Sequence, residues 1–308
     1  MQQHSEKGND MKNKIPVIYI LLAGILWGCS CLFVSKLTAL GFTPMHCTAI
    51  RITTAALILN IALIIKGKGF KYYKMDFISF ILVVFTGWFS VLSMCIFYYL
   101  AMTETSAAVS AILLYTAPLF VMIMSVIFFK EKITAMKIAA FIIAIAGCAL
   151  VSGIISGVAA STSGIIFGIL SAVSYSLYGI LTTFFMKRNS ERLTFTAVSF
   201  AFAAIGALML TNVKEIIDLT AQADSPLKLI ALYPVFGLIT AVLPFVFYTK
   251  GLSGVRPDVA SILAFIEPMT AAVLGIAVLR QPFDFYQGIG IGLIVVSILL
   301  LNTKQKNT

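Results

Sequence analysis

A chain of 308 residues with 60% apolar and 11% charged residues, net charge +10 and mean hydropathy +1.02 excludes an ordinary soluble enzyme. The charges fall in short clusters between apolar runs long enough to cross a hydrocarbon core of roughly 30 Å. The basic balance therefore belongs to segment ends beside lipid and gives no reason to expect nucleic acid as a partner.

Ten such runs are predicted, all as helices, because a backbone in lipid must satisfy its own hydrogen bonds. They are Ile15–Ser35, Pro44–Ile65, Phe77–Leu100, Ser106–Phe129, Ala135–Gly153, Gly164–Met186, Leu193–Asn212, Leu229–Lys250, Asp258–Leu279 and Phe285–Leu301. The first is longer than the roughly 7–15 apolar residues of a cleaved signal, so it is read as a retained span. Residues 1–14 and 302–308 read as polar tails. With the N-terminus inside, inner segments carry 17 Lys and Arg, whereas outer loops carry four: Lys36, Lys214, Lys228 and Arg280. That asymmetry places both termini in the cytoplasm of a cell-membrane protein. The charge-poor stretch 154–163 becomes an outer loop joining a first unit, 15–153, to a second, 164–301.

The two units resemble each other. A shift of 150 lays Phe97-Tyr98 on Phe247-Tyr248, Val109 on Val259, Ile112-Leu113 on Ile262-Leu263, Pro118 on Pro268 and Lys130 on Arg280. A shift of 144 lays Gly24-Ile25-Leu26 on Gly168-Ile169-Leu170 and Ser30 on Ser174. Each unit holds five spans, an odd number, so the second enters the membrane from the opposite side. The expected fold is all-α and integral to the membrane: ten transmembrane helices in two inverted five-helix repeats around a central cavity.

Few residues within the spans carry chemistry. Glu267, followed by Pro268, lies deep in the ninth span, where a charge costs roughly 2.5–3.5 kcal/mol on insertion scales. It must face protein or water. Pro268 and its counterpart Pro118 each lack a donor and are candidate kinks for gating. The repeat keeps the proline but has Ala117 in place of the acid. Two roles fit Glu267: a substrate or proton site, or a hydrogen-bonded acid that only ties helices. Arg51, the other charge set well inside a span, has three: snorkelling outward, pairing with Glu267, or holding a substrate carboxylate. Asp76 and Asp258 read as boundary residues at helix starts.

Trp27, Tyr98, Tyr115, Tyr175, Tyr178 and Tyr248 lie at depths where a ring's polar atom has no partner in lipid. They are read as cavity-lining candidates together with Ser261, or as packing residues satisfied by neighbouring helices. Gly24-x-x-x-Gly28, Gly164-x-x-x-Gly168 and Gly288-x-Gly290-x-Gly292 allow close helix approach, chiefly within the chain. Whether the protein is a monomer or a homodimer stays open. Cys29 and Cys31 point about 200° apart on a helix and form neither bridge nor metal site. Histidine occurs only as His4 and His46, and no hydrolase or phosphate-binding motif is present. No enzyme activity, cofactor or metal is expected.

The segment Ile25-Leu-Trp27-Gly28-Cys-Ser-Cys-Leu-Phe-Val-Ser-Lys36 resembles the first-helix signature of the drug/metabolite transporter superfamily, EamA-type branch. Arg51 is similar to the arginine of that family's second helix. Tyr115-Thr-Ala-Pro118 through Lys130-Glu131-Lys-Ile-Thr134 resembles its fourth helix, and Phe265-Ile-Glu267-Pro268 its ninth. The resemblance runs from about residue 15 to 301 and departs at Gln281, where a second glutamate matching Glu131 is usual. It implies ten helices around a central cavity and transport of small metabolites, often export of amino acids. The expected function is thus a secondary transporter of a small organic solute, an amino acid or relative, moved outward with protons as the coupling ion. A multidrug or lipophilic-cation exporter is the alternative, and a membrane enzyme or receptor the reading outside transport.

Overall fold

The structure is a computed structural model describing residues 2–67, 70–152, 161–188, 191–280 and 284–304. Among them every regular element is helical. The apolar helices, in chain order, are α1 (Ile15–Thr38), α2 (Pro44–Lys66), α3 (Phe77–Glu104), α4 (Ala107–Phe129), α5 (Ala135–Val151), α6 (Thr162–Arg188), α7 (Arg192–Leu210), α8 (Pro226–Gly251), α9 (Pro257–Ala277) and α10 (Phe285–Leu301). Eight have the length and hydropathy of a membrane span. The shorter α5 and α10 reach about 25 Å at 1.5 Å per residue, just under the hydrocarbon thickness. The chain is an all-α, multi-spanning membrane protein.

Each start has a local cause. Thr43 accepts from the backbone N–H of His46, while His46 Nδ1 accepts from that of Thr43, a reciprocal cap on α2. The Asp76 and Thr134 side chains cap α3 and α5 by accepting from the backbone N–H of Ser79 and of Lys137, without the reciprocal bond. The helix leading into α1 begins at Gln2, so the segment expected from the sequence as a polar tail is helical and continuous with α1. A short helix, Val213–Ala221, follows α7 and packs Ile216 and Leu219 near Leu229 and Phe236. The inter-repeat stretch 153–160 lies outside the described residues, as does Gln281.

The helices are irregular at matching places. Wide turns of π type occupy Gly87–Leu92 in α3 and Leu238–Val242 in α8. Helix α4 is interrupted at Tyr115 and Thr116, and α9 at Ala264 and Phe265. Lys130 and Arg280, at φ 55° and 56°, are the described non-glycine residues with left-handed backbone. All three pairs fall within one residue of the 150 shift. Contacts follow the same rule: α1 packs on α8 and α9, and α6 on α3 and α4, while α2 packs on α7 and α5 on α10. Exchanging the first five helices for the last five maps this set onto itself.

Apolar side chains fill the interior and also cover the outside, and some polar ones lie buried among them. Leu57, Ile65, Phe77, Ile127, Met209 and Leu299 are exposed, whereas Ser79, Ser110, Ser171, Thr240, Lys137 and Asp258 are buried. Lipid offers apolar surface no reason to hide, so close contact holds the helices instead. At the α5–α10 crossing a Cβ on Gly147 would sit 2.7 Å from the Gly290 carbonyl oxygen, too near for any side chain.

Candidate functional site

The break in α9 is built by proline chemistry. Pro268 has no N–H to give the Ala264 carbonyl, and the Glu267 N–H takes that oxygen instead at 2.9 Å. Phe265 N–H turns to the Ile262 carbonyl at 3.1 Å, and a fresh helical segment begins at Ile266. Glu267 therefore stands in the first turn of that segment, where the helix dipole favours an anion. Helix α1 presses onto this point. A Cβ on Gly28 would lie 2.7 Å from the Glu267 carbonyl oxygen and 2.6 Å from Thr270 Cβ, so glycine is required for the approach. In the first half the corresponding segment starts at Ala117 and includes Pro118.

Glu267 is surrounded by protein yet keeps partial surface exposure, and so do Tyr98, Tyr115 and Tyr175. All three tyrosines lie within electrostatic reach of the carboxylate, and so does Arg51. No hydrogen bond or ion pair engages the Glu267 side chain among the described residues. Arg51 does not pair with it; its Nη2 donates to Cys95 Sγ at 3.5 Å.

Tyr175 also belongs to a small adjoining aromatic cavity of about 20 Å³, room for about one water, walled by Trp27, Met94, Tyr178, Phe245 and Tyr248. Trp27 is its hub, with ring centroids 5.2 Å from Phe245, 5.4 Å from Tyr248 and 6.4 Å from Tyr175. Tyr178 and Tyr248 are buried. The Tyr178 hydroxyl is hydrogen-bonded to Thr249 Oγ1 at 3.1 Å and Thr196 Oγ1 at 3.4 Å. Ser261 is buried and donates to the Asp258 carbonyl at 2.8 Å, so its hydroxyl serves its own helix. Of the residues singled out by sequence, Glu267, Tyr98, Tyr115, Tyr175 and Arg51 share one neighbourhood and Trp27, Tyr175, Tyr178 and Tyr248 the next. Tyr115 stacks at a tilt on Phe265, 5.8 Å away, beside the α9 break.

A charged cluster at the lysine-rich end was not expected. Lys137 and Asp258 are both buried and ion-paired; Arg256 Nη2 reaches Asp258 at 3.4 Å, and its Nε lies 3.2 Å from Glu131. By sequence, Asp258 is a boundary residue at a helix start and Lys137 counts only among the cations of the inner segments. A signal existed: each falls inside an apolar segment start rather than before it. Glu131, outside the spans, is raised from 4.5 to about 7 by burial and by the neighbouring Asp258 carboxylate. Exposed Asp76 is lowered to about 2, chiefly by hydrogen bonds from Ser79 and Arg188. No group of three metal-ligating side chains occurs among the described residues.

Comparison with known proteins agrees in kind. The EamA-like transporter family matches this chain twice, over residues 14–153 and 162–303. The uncharacterized transporter YetK of Bacillus subtilis (strain 168) is 25% identical over 84% of this chain and 78% of its own length. From the same organism, the uncharacterized transporters YxxF and YwfM are 24% and 25% identical over 99% and 96% of this chain, and 95% and 97% of theirs. A solved crystal structure of a protein superimposes with TM-score 0.76, covering 95% of this chain and 98% of its own, at 17% identity. That last likeness speaks for the fold alone.

Proposed function

The chain belongs to the EamA-like transporter family, and from that premise we propose a secondary transporter that moves an amino acid or a close relative out of the cell. One observation carries the reading. Glu267 and Arg51 bring opposite charges into one interior and do not pair with each other. Charges held in low dielectric without neutralising partners are costly, and a zwitterion satisfies both. Its ammonium group goes to Glu267, and its carboxylate takes the Arg51 guanidinium in a bidentate pair. Tyr98 and Tyr115 flank the charged end, while Trp27, Tyr175, Tyr248 and Phe245 receive the side chain. Tyr178 and Ser261 brace the wall from behind, their hydroxyls being engaged by protein. A proton on Glu267 is the coupling ion.

Alternating access follows from two halves that exchange roles. Supporting it are the family's double match, the contact set that maps onto itself, and the paired breaks and wide turns. An odd number of spans per half is the reason to take the repeats as inverted, and the lysine asymmetry supports both termini in the cytoplasm. Pro118 and Pro268 mark where α4 and α9 bend as one face closes.

A second reading, export of lipophilic cations, is favoured by the same partnerless carboxylate among aromatic rings. Flux into proteoliposomes under a pH gradient separates the two. On the first reading zwitterionic amino acids move, Arg51→Gln loses zwitterion flux, and Glu267→Gln loses flux together with its pH dependence. Transport of amines alone selects the second. Full, pH-sensitive flux in Glu267→Gln removes the acid from both.

A further inference from the structure

Beyond Tyr178 lies a second hollow, about 300 Å³, at the lysine-rich end. Its wall holds the Lys66–Glu191 ion pair at 2.9 Å and two further cations, Arg192 and Lys250. Thr196 and Thr249 also line it, and they are the two residues whose hydroxyls bond to Tyr178. Tyr178 in turn lines the aromatic cavity. One layer of three hydroxyls therefore separates the two spaces. Three cations against one acid make the hollow attractive to an anion. A hydrogen bond from threonine to an ionised oxygen is about twice as strong as one to a neutral phenol.

We propose that this hollow is an entry site for a single anionic group, the carboxylate of a solute or the phosphate of a lipid headgroup. The anion docks between Arg192 and Lys250, takes the Thr196 and Thr249 hydroxyls from Tyr178, and so opens the layer toward the aromatic cavity. The site rests on reading that cavity as the transport path. It adds a first stop, selective for anions, ahead of Glu267 and Arg51.

The test uses the full chain carrying Trp88→Phe, which leaves Trp27 as its only tryptophan, in phosphatidylcholine nanodiscs. Acrylamide quenching of Trp27 reads water access to the aromatic cavity. Added phenylacetate is expected to increase quenching, while uncharged phenylacetamide is not. Arg192→Gln with Lys250→Gln should raise the half-effect concentration about tenfold or more, and Arg192→Lys should restore it. Tyr178→Phe should be open to acrylamide with no anion present. Nanodiscs containing phosphatidylglycerol distinguish the sources: quenching that is already high without phenylacetate identifies the lipid headgroup, and unchanged baseline quenching identifies the solute. Equal action of the amide, an unshifted response in the double variant, or closed behaviour in Tyr178→Phe overturns the proposal. Flux measured beside it keeps the two readings apart. Phenylacetate-dependent quenching with no flux defeats the transporter assignment alone, and flux with no anion effect defeats the entry site alone.

Discussion

At the lysine-rich end four ion pairs join the first half of the chain to the second: Lys66–Glu191, Asp76–Arg188, Glu131–Arg256 and Lys137–Asp258. At the opposite end the polar links among the described residues are weaker. Ser161 and Ser163 donate to the Glu104 carboxylate at 3.3 and 2.9 Å, and His46 Nε2 lies 3.6 Å from Glu215. The 150 shift explains the contrast. It sends Arg256 to Ser106, Asp258 to Ala108 and Lys137 to Gln287, so the second copy of the cluster has no charge. The backbone features recur at both places because they need only local sterics. The charges do not recur, and two ends with like geometry are held by unlike forces. One answers to pH and salt, the other to hydroxyl contacts and packing.

The sharpest way to break this comparison is to cut the buried pair. Asp258→Ala leaves Lys137 charged without its partner and should destabilise the fold by about 3–5 kcal/mol. Ser106→Ala, at the mirrored end, removes an N-cap that accepts from Val109 and should cost about 1 kcal/mol. Thermal unfolding in detergent compares them, and equal losses would erase the proposed asymmetry. The next effect is pH. Burial and Asp258 raise Glu131 to about 7, opposed by Arg256 and Lys187, so the folded state holds this proton more tightly than the unfolded chain. Its contribution is complete below about pH 4.5 and is lost as pH rises through about 7. Cysteine-labelling of the lysine-rich end should therefore speed up above neutrality, and Glu131→Gln should stay slow at every pH. A labelling rate that still climbs in Glu131→Gln would assign the titration elsewhere.

Smaller changes sharpen the backbone half of the argument. Left-handed backbone costs a residue with a side chain about 1–2 kcal/mol, so Lys130→Gly and Arg280→Gly should each stabilise by roughly 1 kcal/mol. Matching gains in unfolding temperature would show that the two ends still share their geometry. Smallest is Lys66→Gln on the exposed pair, at about 0.2–1 kcal/mol and vanishing in high salt. A loss that salt leaves intact would mean that the pair is not the surface contact described.

The spans were legible because hydropathy and charge follow the membrane directly: the ten runs and the ten apolar helices coincide to within a few residues. Glu267 was legible because a carboxylate nine residues into an apolar run has few explanations. Its neighbours were legible only as depths, since no sequence rule says that Tyr98, Tyr115 and Tyr175 turn toward one point. Arg51 had three open roles, and its contact with Cys95, 44 positions away, is a product of how α2 meets α3. The Lys137–Asp258 pair spans 121 positions, and Tyr178 finds Thr249 across 71. Such partners are chosen by helix packing, which residue patterns along one helix do not encode.

The wide turns in α3 and α8 have a consequence for aim. Each inserts a residue beyond the ordinary helical period, and one residue is about 100° of rotation. Tyr98 and Tyr248 both lie downstream, at equivalent positions. Remove the extra residue from either turn and that tyrosine swings a quarter-circle or more off its present azimuth. The orientation of the two rings is thus a phase setting, made by the same backbone device in α3 and in α8.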